Sequence, residues 1–251
     1  MIRIFKCATL EISLGRGVLS IELSSDGSYT LFNTNYQETY HSLRDGAIKE
    51  TLFKHIFPAF EYANFTEKIR VLDICFGLGY NSFFTLRHFI FRKYSQTLEI
   101  YSPEKDALLL KDLLHFSYPK EIHTLDGIGL VEILKAINEK RRYQKDRWSL
   151  ECFIGDARQY LKNFEDQFFD IVYQDAFSFS KNPELWSEEF FTLLYAKLNE
   201  YGVVTTYSQS STVRDNAKKA GFYIYELDQE HMRNSRIFSK KEINCKNLKK
   251  K

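Results

Sequence analysis

The stretch Val71-Leu-Asp-Ile-Cys-Phe-Gly-Leu-Gly-Tyr-Asn81 decides how this 251-residue chain is interpreted. An apolar run typical of a buried strand leads into two glycines and then into a sequence with helical spacing. Gly77 and Gly79 let the backbone approach a ligand without interference from Cβ atoms, and the start of the following helix favours an anionic group. A nicotinamide-dinucleotide fingerprint needs a third glycine at position 82, where Ser82 stands. This argues against a dehydrogenase.

Outward from this stretch, short apolar strands alternate with helical stretches. Strands are predicted at residues 70–75, 98–102, 150–154, 169–174, 202–207, 222–227 and 236–239, and helices at 81–94 and 187–198. Such alternation indicates a mostly parallel sheet covered on both faces, and the last two strands are close enough for an antiparallel edge hairpin. We therefore predict an α/β fold of the Rossmann-like class I methyltransferase type, with seven strands.

The segments on either side of this core have a different pattern. Residues 1–68 begin with alternating apolar residues around Asp26-Gly27, which is a strong hairpin signal, and continue into a helical stretch at 44–60. We expect a small hairpin-and-helix extension at 1–68, packed on a methyltransferase domain at 69–240. Residues 241–251 form a basic tail.

Acidic residues recur at the predicted strand ends, where open α/β sheets bind their ligands. Asp73 with only two glycines fits an S-adenosylmethionine loop better than a dinucleotide loop, although a plain tight turn is the alternative. Glu104 follows the second strand, where a carboxylate can accept both ribose hydroxyls of a nucleoside. Asp156 follows the third strand and can accept from an adenine amino group. Asp175 ends the fourth strand, beside the expected reacting centre.

The loop after Asp175 is long, polar and aromatic, which is typical of a substrate pocket. It contains the turn-like Lys181-Asn182-Pro183, and Trp186 stands just before an amphipathic helix. The alternative is an ordinary loop whose tryptophan packs against the helix.

The composition limits the class of protein and its cellular location. The chain has 44% hydrophobic residues, a net charge of +2 and no apolar run long enough to span a membrane or to act as a secretion signal. We expect a cytoplasmic protein with free thiols at Cys7, Cys75, Cys152 and Cys245. The six histidines are scattered and predict no metal site. Basic clusters at 139–147 and 240–251 either attract a polyanion or are solvated.

Several of these motifs together resemble the MnmC methyltransferase domain. The resemblance rests on the glycine stretch, on Asp175-Ala-Phe with Lys181-Asn-Pro-Glu-Leu-Trp186, on Thr205-Thr-Tyr-Ser208, and on Tyr40-His-Ser42 with Glu50. It implies a tRNA methyltransferase that uses S-adenosylmethionine on the aminomethyl group of a wobble uridine in the anticodon loop. A base of that loop could then stack on Trp186, Phe177 or Phe179. Cys75 and Leu78 depart from the usual Gly and Thr of the family. The resemblance further implies the stand-alone form, without the flavin-dependent oxidoreductase of many members.

The resemblance and the motifs together give a set of expected site residues. Asp175 is expected to accept an N–H of the amine. Cofactor contacts are expected from Asp73, Phe76, Gly77, Gly79, Asn81, Glu104, Asp156 and Ala157. Substrate contacts are expected from His41, Ser42, Glu50, Lys181, Asn182, Pro183, Trp186 and Tyr207.

Two other functions fit parts of the same pattern. An aminopropyltransferase of the spermidine-synthase type shares the glycine loop, the ribose-binding acid and the strand-four Asp. It needs several acids for a polycation, whereas Lys181 precedes the first acid after Asp175, Glu184. A catalytically idle RNA-binding module on the same scaffold is the third possibility. The sequence does not indicate an oligomeric state.

Overall fold

The computed structural model describes residues 12–14, 16–230 and 232–251, with side chains described from residue 19 onward. Cys7 and His231 therefore lie outside the described residues. The described strands are β1 (Ile12–Leu14), β2 (Arg16–Leu23), β3 (Tyr29–Asn33), β4 (Glu38–Thr39), β5 (Lys68–Ile74), β6 (Thr97–Glu104), β7 (Thr124–Leu125), β8 (Ile128–Gly129), β9 (Arg142–Lys145), β10 (Trp148–Ile154), β11 (Phe169–Gln174), β12 (Leu198–Thr206), β13 (Tyr223–Leu227), β14 (Ser235–Ser239) and β15 (Leu248–Lys250). The described α-helices are α1 (Ala47–Lys49), α2 (Phe57–Tyr62), α3 (Tyr80–Arg92), α4 (Ala107–Asp112), α5 (Leu130–Lys140), α6 (Ala157–Leu161), α7 (Glu188–Lys197) and α8 (Ser211–Lys219).

Within the described residues, nine strands form the central sheet, in the order β15-β13-β14-β12-β11-β5-β6-β10-β9. The five middle strands, β12, β11, β5, β6 and β10, run parallel. On one side β14 and β13 add an antiparallel hairpin. The predicted Rossmann-like, mostly parallel arrangement is confirmed, with two more strands than the seven predicted, and its parallel strands end at one common edge.

Both faces of the sheet are covered because the middle strands are apolar on both faces. In β5, Ile69 and Val71 join a core that also contains residues of α1 to α5, whereas Leu72 and Ile74 join a second core with residues of α6 to α8. All four side chains are fully buried. Burial of a side chain of this size contributes about 1.5–3 kcal/mol, so the strand is fixed between two helical layers.

Two edge strands were not predicted. β9 pairs antiparallel with β10, and β15 pairs antiparallel with β13. Each of these strands comes from one of the two basic clusters, 139–147 and 240–251, so both clusters are partly built into the sheet although most of their side chains are exposed. Element bounds also shift: β6 extends to Glu104, and β12 already begins at Leu198.

The N-terminal segment forms its own sheet, which in the described residues has the order β1-β2-β3-β4. The Asp26-Gly27 hairpin is present, with Gly27 at φ +82°. The helix predicted at 44–60 consists of α1, a π-helical segment at Glu50–Ile56, and α2. This helix packs on α3 and on β12, so the N-terminal segment lies over the carboxyl edge of the central sheet.

None of the helices in the described ranges is both long enough and apolar enough to cross a membrane.

Candidate functional site

A cavity of about 1300 Å³ opens where the parallel strands end. Its walls come from the turn after β5, the ends of β6, β10, β11 and β12, and the N-terminal segment. The cavity is lined by most of the predicted site residues: His41, Ser42, Glu50, Phe76, Gly77, Asn81, Glu104, Asp156, Ala157, Asp175, Asn182 and Tyr207. The sheet therefore brings these chain-distant residues to one place.

The glycine turn between β5 and α3 is held in a strained backbone form. Cys75, Gly77 and Gly79 have φ values of +70°, +54° and +75°. A Cβ on Gly77 would lie 3.2 Å from the Tyr40 ring, and Gly77 lines the cavity. Gly79 is not among the lining residues. A Cβ there would lie 2.5 Å from the Phe83 ring, so this glycine serves the close packing of the turn on α3.

Glu104 and Asp156 occupy the predicted strand-end positions. The two Glu104 oxygens accept the backbone N–H groups of Gly77, at 2.9 Å, and Asp106, at 2.8 Å, which fixes the buried carboxylate at the cavity wall. Asp156 caps α6 through the N–H of Arg158 and pairs with its guanidinium. These contacts with Arg158 hold the pKa of Asp156 below its usual range.

Asp175 directly follows β11 and is a nearly buried carboxylate, with 12% of its side chain exposed. Its Oδ2 accepts from the Asn81 amide at 2.8 Å, and its Oδ1 lies 3.4 Å from Nε2 of His55. Burial alone would raise the pKa of Asp175, but His55, His41 and Asn81 together hold it below its usual value. Asp175 is therefore ionised and can accept hydrogen bonds in a part of the cavity wall that is largely shielded from water.

Asp73 does not line the cavity. It is fully buried and accepts from Ser82 Oγ at 2.7 Å and from the Asn81 amide at 3.4 Å. Burial, with a smaller contribution from the charge of Asp175, raises the pKa of Asp73 to about 7. Its contacts orient Asn81 and the start of α3, instead of the direct cofactor contact that the sequence predicted.

The N-terminal wall contains an ion-paired cluster. Lys54 is buried and pairs with Asp45, at 2.7 Å, and with Glu50, at 2.9 Å. The other Glu50 oxygen accepts the backbone N–H of Ser42 at 2.8 Å. His41 packs edge-on against Tyr80 and also lines the cavity, so the same side chain contributes to the packing of the wall and to the site. Burial lowers the pKa of His41 and favours its neutral form.

The loop after Asp175 lines the cavity, but only one of its four predicted substrate-contact residues is among the lining residues. Asn182 lines the cavity, as does Tyr207, whose hydroxyl donates to the Ala176 carbonyl at 2.8 Å. Lys181 and Pro183 are not among the lining residues. Trp186 is fully buried and donates its Nε1–H to the Phe177 carbonyl at 2.6 Å, so it packs under the loop and is unavailable for stacking on a base.

Three features of the site were missed by the sequence interpretation. Glu38 of β4 accepts from the backbone N–H of Ser178 and from its hydroxyl, which ties the N-terminal segment to the Asp175 loop. Tyr36 stacks on Phe177 with ring centroids 4.6 Å apart. His55 contacts Asp175. Each pair is separated by more than a hundred positions, so no local pattern could have marked them.

The lining residues fit S-adenosylmethionine. A carboxylate oriented by backbone N–H groups, Glu104, stands beside a glycine whose missing Cβ leaves the wall open, and Asp156 lies at the next strand end. This is the donor and acceptor set that a nucleoside needs. In the described part of the chain, no group of three His, Cys, Asp or Glu side chains could hold a metal ion. The described cysteines, Cys75, Cys152 and Cys245, are free thiols.

Comparisons with known proteins agree with this geometry. Residues 125–239 match the model of a family described as S-adenosyl-L-methionine-dependent methyltransferase. An uncharacterized protein of Methanocaldococcus jannaschii is 29% identical over 207 residues, covering 82% of this chain and 54% of that protein. The tRNA 5-methylaminomethyl-2-thiouridine biosynthesis bifunctional protein MnmC of Azoarcus is 29% identical over 215 residues, covering 82% of this chain and 33% of that protein. The chain thus spans about half and about a third of these two relatives.

A solved structure gives the stronger match. The crystal structure of MnmC2 from Aquifex aeolicus aligns with a TM-score of 0.74 and 33% sequence identity, over 90% of this chain and 72% of that chain. The resemblance and the cofactor class predicted from the sequence are thereby confirmed. With this identity and coverage, and with its cavity at the carboxyl edge of a parallel sheet, the chain belongs to the MnmC family of S-adenosylmethionine-dependent methyltransferases.

Proposed function

We propose that this enzyme methylates the aminomethyl group of a wobble uridine in the anticodon loop of tRNA. The observation that carries the proposal is the position of Asp175, an ionised and nearly buried acceptor in the same cavity as Glu104 and Gly77. The MnmC relatives are tRNA 5-methylaminomethyl-2-thiouridine biosynthesis proteins, which supports this substrate class. The proposal places the enzyme in the cytoplasm, with tRNA.

For methyl transfer to an amine, the protein mainly has to position the two reactants and exclude water. Bound S-adenosylmethionine supplies a methyl group that is already activated for transfer to an amine. Gly77, Glu104 and Asp156 would hold its nucleoside part. Asp175 accepts an N–H of the substrate amine, which orients the nitrogen lone pair into the cavity. His41 and Tyr80, both largely buried, exclude water from the same wall.

The cavity opening suits a polyanion. Three exposed cations line it, and we call Arg44, Lys105 and Arg233 the rim cations. Within the described residues, neither Arg44 nor Arg233 forms an ion pair. Arginines placed in this way can contact phosphates on either side of a base that enters the cavity.

The basic clusters singled out in the sequence are poorer candidates for RNA contacts. Four tail lysines are ion-paired, Lys241 with Glu200, Lys249 with Asp228, Lys250 with Glu242 and Lys251 with Glu226. In the other cluster, Lys145 and Arg147 lie at the amino end of β10, opposite the cavity, since Lys145 is paired in register with Trp148. We therefore assign the contacts with RNA phosphates to the rim cations.

An exposed aromatic is available for stacking. Phe179 lines the cavity with 37% of its surface exposed, and Phe177 lines it while stacked on Tyr36. Base stacking on such rings is worth about 1–3 kcal/mol per base. With Trp186 buried, Phe179 is the residue that we assign to the splayed base.

Mass spectrometry of tRNA nucleosides from a strain that lacks this gene tests the proposal. We expect the aminomethyl nucleoside to accumulate and its methylated form to disappear. Wild-type protein should restore the methylated nucleoside, and the Asp175→Asn variant should not. Unchanged nucleosides in the deletion strain would contradict the proposal.

The aminopropyltransferase alternative gains some support from the acids on the N-terminal wall. Glu38, Asp45 and Glu50 all line the cavity. Asp45 and Glu50 are ion-paired with Lys54, and Glu38 already accepts hydrogen bonds from Ser178, so all three acids are engaged within the protein. Turnover with decarboxylated S-adenosylmethionine and a polyamine, without turnover on tRNA, would favour this alternative. The idle-module alternative requires that calorimetry detects no S-adenosylmethionine binding.

A further inference from the structure

His55 is a fully buried histidine placed directly behind Asp175. It lies in the π-helical segment Glu50–Ile56, and its Nδ1 is 3.1 Å from the hydroxyl of Thr205 on β12. Its Nε2 lies 3.4 Å from Asp175 Oδ1 and makes no hydrogen bond to any described residue. The ring packs edge-on against Tyr173. A buried ring nitrogen is thus directed at the carboxylate and at no other partner.

The π-helical segment explains how His55 reaches this place. A π-helix brings residues five apart onto one face, whereas an α-helix does so for residues three or four apart. Glu50 and His55 are five apart. Glu50 lines the cavity and His55 approaches Asp175, so the wider turn directs both toward the site.

The two ring nitrogens of His55 face two different partners, the Thr205 hydroxyl and the Asp175 carboxylate. When the Thr205 hydroxyl donates to Nδ1, the ring proton resides on Nε2, which then faces Asp175 Oδ1. The Asn81 amide holds the other carboxylate oxygen at 2.8 Å. Both oxygens of Asp175 are then held, and the plane of the carboxylate is set relative to the cavity.

Several other ionisable groups lie close enough to Asp175 to interact with its charge. They are His41 after β4, Asp73 in β5, Cys75 in the glycine turn and Tyr207 after β12. Burial lowers the pKa of His41 and raises the pKa of Asp73. The donors that directly approach the carboxylate oxygens are those of Asn81 and His55.

We propose that His55 is a positioning residue that aligns Asp175 to accept an N–H of the substrate amine. The proposal rests on the proposed function for the identity of the amine. His55 contacts Asp175 but does not line the cavity, so it acts through the carboxylate.

A set of variants tests this role by activity. His55→Phe removes the donor but keeps a ring, and His55→Gln restores an N–H at similar reach. His88→Phe is the matched control, because His88 also packs among aromatics, Phe57 and Phe60, but on α3 away from Asp175. We expect His55→Phe to lower kcat by about 100-fold with little change in cofactor Kd, since a small misplacement at a reacting group has this effect. His55→Gln should recover most of the loss.

A double-mutant cycle separates positioning from general damage. In an Asp175→Asn background, His55→Phe should cost less than about threefold further activity, because its effect passes through the missing carboxylate. Equal losses in both backgrounds, or no rescue by His55→Gln, would overturn the proposal.

A measurement without substrate keeps the test independent of the proposed function. The carboxyl carbon of Asp175, assigned by its loss in Asp175→Asn, is followed by NMR as the pH is lowered. We expect the midpoint of the Asp175 titration to rise by about one pH unit or more in His55→Phe. Burial then raises the pKa of the carboxyl group without the opposing effect of the His55 ring. An unchanged midpoint would contradict the role of His55 even if tRNA methylation is confirmed. A shifted midpoint with no tRNA methylation would instead place the error in the proposed function.

Discussion

The backbone N–H of Gly77 donates to Oε2 of Glu104 at 2.9 Å, which joins the glycine turn after β5 to the end of β6. The turn and the carboxylate are therefore one unit, although 27 positions separate them. Phe76 N also donates to the carbonyl of Pro103 at 3.0 Å, so the link is doubled. A change at either end disturbs the wall that would hold the nucleoside.

Glu104→Ala should weaken S-adenosylmethionine binding by about 10- to 100-fold, since hydrogen bonds to a charged acceptor contribute about 1.5–3 kcal/mol. Calorimetric titration measures the change, and Glu139→Ala, at an exposed position of α5, is the control. An unchanged cofactor Kd in Glu104→Ala would remove this carboxylate from the binding wall.

Asp175→Asn should lower methyl transfer by about 10²–10⁴-fold, which is the usual contribution of a positioned proton acceptor. Cofactor affinity should stay within about threefold of wild type, because the nucleoside contacts lie at other strand ends. Single-turnover transfer and calorimetry measure the two quantities separately. Wild-type turnover in this variant would exclude Asp175 from the mechanism.

The rim arginines should govern the salt dependence of tRNA binding. Arg44→Ala combined with Arg233→Ala should weaken binding and reduce the slope of log Kd against log salt by about 1.4, for two phosphate contacts to single-stranded RNA. Fluorescence anisotropy across a salt series gives the slope. Arg142→Ala with Lys246→Ala removes the same charge elsewhere on the exposed surface and should leave the slope nearly unchanged. Equal effects from both pairs would contradict the rim assignment.

Gly79→Ala should reduce the free energy of unfolding by about 2–4 kcal/mol, because it combines an unfavourable positive φ with a clash in a packed turn. Gly127→Ala is a matched control: its φ is +76° against +75° for Gly79, but its Cβ would meet no atom within 4 Å. Chemical denaturation of both variants isolates the contact with Phe83. Equal losses would show that the backbone conformation alone sets the requirement.

The raised pKa of Asp73 predicts a pH-dependent stability. The unfolded carboxyl loses its proton near pH 4, whereas the folded one keeps it up to about pH 7, so the native state binds more protons in this window. The contribution of Asp73 to stability therefore falls as pH rises from about 4 to about 7, with a slope of at most about 1.4 kcal/mol per pH unit. The difference in unfolding free energy between wild type and Asp73→Asn should follow this trend. A pH-independent difference would contradict it.

The parts of the site that the sequence predicted share a physical reason. Parallel strands end at one edge, so Glu104, Asp156 and Asp175 meet in one cavity once each is recognised as a strand end. The glycine turn is equally local, because its positive φ values require particular residues at particular positions. The confirmed fold follows from the same alternation of strands and helices.

The parts that the sequence did not predict depend on packing between distant segments. His55 and Thr205 are 150 positions apart, and Glu38 and Ser178 are 140 apart. From the sequence alone, Trp186 could line a pocket or pack in the interior. Its burial beneath the loop, which only the structure shows, establishes the interior position. The basic tail forms β15 because β13 offers an open edge, which a charge pattern does not reveal.

The most direct measurement is methyl transfer in vitro to a tRNA that carries an aminomethyl group on its wobble uridine. Purified protein, S-adenosylmethionine and this tRNA should yield a single nucleoside that is heavier by one methylene, and Asp175→Asn should yield almost none. Cofactor binding without any methylated nucleoside, on a tRNA verified to carry the primary amine, would contradict methylation of the wobble-uridine aminomethyl group by this enzyme.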